Sequence, residues 1–79
     1  MIIKILGSGC MNCKKLYENA KAAVEETGVE AEIVKVEDFK EIMKYGVMRT
    51  PAIVINEKVK AFGKVSTVSE IKTFIEDAR

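Results

Sequence analysis

The sequence has no histidine and no tryptophan, a single proline and only two cysteines in 79 residues. With no histidine and no third cysteine, a four-ligand nitrogen and sulfur zinc site cannot be completed within one chain, and no metal site is expected. Two cysteines are also too few for a secreted mini-protein stapled by disulfides, which spreads several along its length. Charge of one sign is missing as well. Thirteen Lys and Arg face twelve Asp and Glu, a net +1, which removes the main electrostatic reason to bind nucleic acid. No apolar run approaches the roughly 20 residues of a spanning helix, so no membrane association is expected. Ile2 to Leu6, interrupted by Lys4, is too short for a signal-peptide core. What is present is a globular balance, 48% hydrophobic and 32% charged, in a chain short enough for one domain over residues 1–79. The expectation is a small soluble protein of the cytoplasm.

The apolar spacing orders the chain. Ile2, Ile3, Ile5 and Leu6 read as a buried strand, ended by the turn Gly7-Ser8-Gly9. From Cys13 the apolar positions Leu16, Tyr17, Ala20 and Val24 follow a helical spacing, predicting a helix from about Met11 to Thr27 that stops at Gly28. Ala31 to Val36 alternate as a second strand. Phe39, Ile42 and Met43 predict a short helix over Asp38 to Tyr45, ended by Gly46. Ala52 to Ile55 is a continuous apolar strand, Asn56-Glu57-Lys58 a compact turn, and Val59 to Phe62 its hairpin partner, closed by Gly63. Thr67 and Glu70 have capping-box spacing, opening a last helix. The order is β-α-β-α-β-β-α. Alternating elements at the start imply a parallel pair and the tight turn an antiparallel one, so the sheet is expected to be mixed and four-stranded.

The two cysteines form one C-x-x-C, Cys10-Met11-Asn12-Cys13. So short a ring constrains the unfolded chain little, which makes it a poor staple and points to chemistry. Cys10 falls at the first turn of the predicted helix, where unpaired N–H groups and the positive end of the helix dipole stabilise a thiolate. It is therefore the expected nucleophile. Cys13, one turn on and on the apolar face, is the expected resolving thiol. A Cys10 thiolate would attack a substrate disulfide, and Cys13 would cleave the mixed disulfide from within.

The run Tyr45-Gly46-Val47-Met48-Arg49-Thr50-Pro51-Ala52-Ile53-Val54-Ile55-Asn56, followed by Val59 to Gly63, resembles the C-terminal half of a thioredoxin. With Gly9-Cys10-Met11-Asn12-Cys13-Lys14-Lys15-Leu16 it makes the whole chain similar to the short prokaryotic members of the thioredoxin/glutaredoxin superfamily known as redox-active disulfide proteins. The resemblance implies a thioredoxin-like α/β fold with Pro51 cis beside the cysteines. It also implies that Thr50 pairs its backbone with an extended substrate, and that Met48, Arg49, Thr50 and Pro51 line a substrate groove opposite Met11 and Asn12. Gly63 matches the glycine that closes the last strand near the site. Implied partners are protein disulfides and, as electron donor, a thioredoxin-reductase-like flavoprotein or a similar reductant. The expected protein is a monomer whose only redox group is the Cys10-Cys13 disulfide, with no other cofactor.

The chain also departs from that family. Thioredoxins carry Trp-Cys-Gly-Pro-Cys, and they bury an Asp in the preceding strand that relays a proton to the resolving thiol; Lys4 stands at the equivalent position. Glutaredoxins hold glutathione with a Gly-Gly pair followed by Asp, whereas here Gly63-Lys64-Val65-Ser66 lacks both the second Gly and the Asp. Two other functions use the same residues. Two thiolates one turn apart suit a soft-metal carrier for copper, or for zinc shared across a dimer. A non-catalytic adaptor would use the groove to hold a peptide.

Overall fold

The computed structural model describes residues 1–9 and 11–79. Along the chain run β1 (Ile2–Leu6), α1 (Met11–Thr27), β2 (Glu32–Val36), α2 (Phe39–Met43), β3 (Ala52–Ile55), β4 (Lys58–Phe62) and α3 (Val68–Ala78). The strands form one four-stranded sheet in the order β2-β1-β3-β4. β1 pairs in parallel with β2 and antiparallel with β3, and β3 with β4 is antiparallel. The mixed sheet expected from element order is present, and the long crossover through α1 is what a parallel pair requires.

Strand alternation divides the core in two. Ile3 and Ile5 of β1 and Ile53 and Ile55 of β3 face one side, where they pack on Leu16, Ala20 and Ala23 of α1 and on Ile71 and Ile75 of α3. Leu6, Ala52 and Val54 face the other side and meet Ile42 and Val47. The register places Ile3 opposite Ile55 and Ile5 opposite Ile53, so one side is aliphatic across both central strands. α1 and α3 run in the same direction over it. Asn19 Nδ2 donates to the Ser66 carbonyl at 3.0 Å, Lys72 pairs with Glu26 at 3.2 Å, and Arg79 donates to the Thr27 carbonyl at 3.0 Å.

Local signals account for the ends of the elements. Thr67 and Glu70 form the complete capping box that starts α3. α2 is shorter than its apolar spacing predicts, because Lys44, Tyr45 and Gly46 each donate to the carbonyl three residues back and tighten the chain into a turn. The β3–β4 turn is two residues, Asn56 and Glu57, both with positive φ (50° and 69°). That is the primed geometry whose twist suits a hairpin. β4 then carries one extra residue between its pairings with Ile53 and Val54, a bulge. Among the described residues no helix is long and apolar enough to cross a membrane.

Candidate active site

Three segments converge at the C-terminal end of β1. Cys13 is the third residue of α1, on the same buried face as Leu16, and only 6% exposed. Its sulfur is in a disulfide. Cys10, the nucleophile expected from the sequence, lies outside the described residues. Gly7 follows β1, and a Cβ placed there would overlap the Cys13 sulfur and stand 3.7 Å from the Thr50 Cβ. Only glycine lets the strand end, the cysteine and the Thr50 loop come this close. The Thr50-Pro51 peptide bond is cis.

The proline loop is tied to the end of β4. The Gly63 amide donates to the Pro51 carbonyl at 2.9 Å. Gly63 has φ +73°, and a Cβ there would sit 3.2 Å from the Arg49 stem. So Arg49, Pro51 and Gly63, all expected at the site, are assembled together. Pro51 is buried, while Met48, Arg49 and Thr50 are exposed around it.

Met11 and Asn12 are exposed at the start of α1. Met11 and Met48 line separate hollows. Met11 lines a hollow with Lys14, Lys15 and Val65, whereas Met48 lines another with Ser8, Phe39, Met43 and Thr50. The structure thus has an apolar surface on each flank of the convergence point.

Behind Cys13 lies a cavity of about 280 Å³, bounded by Ile5, Gly7 and Gly9 and by the charged side chains of Lys14, Lys35 and Glu37. Lys35 sits over the Tyr17 ring at 4.4 Å, a cation–π contact that holds the ammonium on the α1 side. Glu37 Oε2 is 3.8 Å from where a Gly9 Cβ would be. Gly7, Lys35 and Glu37 are site residues that sequence reasoning missed. For Lys35 a signal existed: a lysine in phase with Ile33 on the alternating strand, on the side that packs against α1.

Lys4 takes no part in this cavity. It points to the opposite face of the sheet, with Leu6, and its Nζ donates to Tyr45 Oη and Glu57 Oε1, both at 2.7 Å. Tyr45 Oη lies 3.2 Å from Glu57 Oε2 and donates to it. The Glu57 carboxylate, then Tyr45, raises the Lys4 ammonium above its ordinary value, and Lys4 holds Glu57 below the usual carboxylate range. The triad braces the β3–β4 turn. Among the described residues no group of three or more His, Cys, Asp or Glu side chains is placed to hold a metal.

A mixed sheet of order β2-β1-β3-β4, two helices on one face and a cis-proline loop beside a buried cysteine define a thioredoxin-like fold. Residues 1–76 match the sequence profile of the thioredoxin domain. The chain is 46% identical over 72 residues to a thioredoxin of Methanocaldococcus jannaschii, covering 91% of this chain and 83% of that protein. It is 36% identical over 75 residues to a thioredoxin of Methanothermobacter thermautotrophicus, covering 95% and 97%. The chain belongs to the thioredoxin family and is of the thiol–disulfide oxidoreductase class.

Proposed function

We propose that the protein reduces disulfides in other polypeptides through Cys10 and Cys13, using no redox group beyond that pair. The Cys10 thiolate attacks one sulfur of a substrate disulfide, and the other sulfur leaves with the electron pair and takes a proton. Cys13 loses its proton and attacks the Cys10 sulfur of the mixed disulfide. The second substrate thiolate departs, leaving Cys10-Cys13 oxidised. A flavoprotein reductase of the thioredoxin-reductase type, or a similar donor, returns two electrons. The observation that carries this reading is Cys13 itself, buried in the first turn of α1, against Gly7 and beside Thr50-Pro51. A resolving thiol needs that shelter from outside disulfides. The cavity at its back, with Lys14, Lys35 and Glu37 around it, offers its proton a way to water.

In this reading Met11, Asn12, Met48, Arg49 and Thr50 edge the substrate groove, with Pro51 and Gly63 shaping its floor. The setting is the cytoplasm, where thiols are kept reduced. Insulin reduction driven by dithiothreitol tests the proposal. Wild type is expected to be active, Cys10→Ser inactive, and Cys13→Ser to accumulate mixed disulfides with substrate. A Cys13→Ser protein that turns over as fast as wild type would overturn the two-step mechanism.

A further inference from the structure

The charges of α1 run against its own dipole. Lys14 and Lys15 stand near its start and Glu25 and Glu26 near its end, with no acidic residue in the first turn and no basic one in the last. A helix start carries partial positive charge and its end partial negative charge, so this arrangement destabilises the helix. It also concentrates positive potential at the end of the molecule where Cys13 lies.

A second element adds to it independently. Arg49 precedes the Thr50-Pro51 bond, and its stem lies against Gly63, 3.2 Å from where a Cβ would be. Among the described residues, Lys14, Lys15 and Arg49 make no ion pair, whereas Lys64 is neutralised by Glu70 at 2.7 Å. The anions nearby are Glu18, in the hollow with Lys14 and Lys15, and Glu37, which lines both the cavity with Lys14 and Lys35 and the hollow of Met48. Cations outnumber them. At the far end of α1, Glu25, Glu26, Glu30 and Glu32 are all exposed.

These three cations also adjoin exposed methionines. Met11, 75% exposed, shares its hollow with Lys14 and Lys15, and Met48, 89% exposed, directly precedes Arg49. Methionine is unbranched and polarisable, so it adapts to varied apolar partners. Resting on the disulfide-reductase reading above, we propose that this end of the protein selects polypeptides whose cystine is flanked by carboxylates and a large apolar side chain. The cations draw the acidic segment in, and the two methionines seat the apolar residue on either flank of the site.

Three oxidised peptides test this, identical except that the residues flanking the cystine are Glu, Ser or Lys, each with one nearby Leu. The Glu peptide is expected to show kcat/KM about tenfold above the Lys peptide at roughly 0.02 M salt, the ratio shrinking towards one at roughly 0.5 M. A triple variant, Lys14→Glu, Lys15→Glu and Arg49→Glu, is expected to invert the order. The ratio between peptides cancels any change in Cys10 reactivity, because every peptide meets the same thiolate. Thermal melts of Lys14→Glu, Lys15→Glu should show an unchanged or higher Tm, since its charges then match the dipole. Equal rates for the three wild-type reactions at low salt, or a ratio indifferent to salt, would overturn the charge selection. Failure to reduce any of the peptides would overturn the reductase reading instead.

Discussion

The two faces of the sheet are built to different standards. On one, two helices running side by side bury Leu16, Ala20, Ala23, Ile71 and Ile75 against four strand isoleucines. On the other, the five-residue α2 contributes Ile42 over Leu6, Ala52 and Val54, and the rest is left to Val47 and to the Lys4-Tyr45-Glu57 triad. Phe39 and Met43 of α2 stay largely exposed, at 71% and 57%. Stability is thus concentrated on the helix-covered face, while the thin face keeps apolar side chains in water beside Ser8, Met48 and Thr50. A small chain can hold an adaptable rim because the opposite face carries most of its stability.

The largest effect should come from the thick face. Leu16→Ala, at a fully buried position, is expected to cost about 4 kcal/mol, and Ile42→Ala on the thin face about 2 kcal/mol. Urea unfolding of both variants checks this, and equal losses would break the comparison. Next comes the junction of the faces. Gly7→Ala puts a methyl into the Cys13 sulfur, with an expected overpacking cost of about 1–3 kcal/mol. It should also lose most insulin-reducing activity, because the sulfur must move. Retention of full activity would show that the loop yields freely.

Smaller effects sharpen the contrast. Thr67→Ala removes the capping box of α3 and should cost about 1 kcal/mol. A loss as large as that of Leu16→Ala would mean that α3 depends on its cap and not on packing. Lys4→Met breaks the triad on the thin face and should be nearly neutral at pH 7, since exposed ion pairs contribute little. Its signature is the pH profile. Glu57 titrates below its ordinary 4.5, so its contribution is whole above that pH and is lost as pH falls through the lowered value. The raised Lys4 contribution is whole below 10.5 and is lost as pH rises through the higher value. The wild-type stability curve should therefore bend at both extremes more than that of Lys4→Met. Superimposable curves would mean that the triad only fills space.

Element order was legible because periodicity changes cleanly along the chain. Isoleucine runs stop at Gly7 and Asn56, helical spacing begins at Cys13 and Val68, and α1 ends at Thr27 before Gly28, as its spacing predicts. α2 was overextended because apolar spacing does not reveal that Lys44 to Gly46 donate three residues back instead of four. The proline loop was legible because it stands on consecutive residues, and the structure places it beside Gly7 and Cys13. Lys35 and Glu37 were not legible, because they reach the Cys13 cavity from the far strand of a parallel pair. Register, not local sequence, places them there.

Side-chain pattern within one turn or one strand is enough to set the strands, the helices and the capping of α3, and it marks the Thr50-Pro51 segment. Tertiary structure alone decided that Lys4 turns away from Cys13 while Ile5 turns towards it. It also decided that Gly7 is the point of contact between sulfur and Thr50, and that Met11 and Met48 flank the site from separate hollows. Those outcomes depend on which face each strand presents once four segments distant in the chain are paired. A shift of one residue in that register would exchange the faces that Lys4 and Ile5 present.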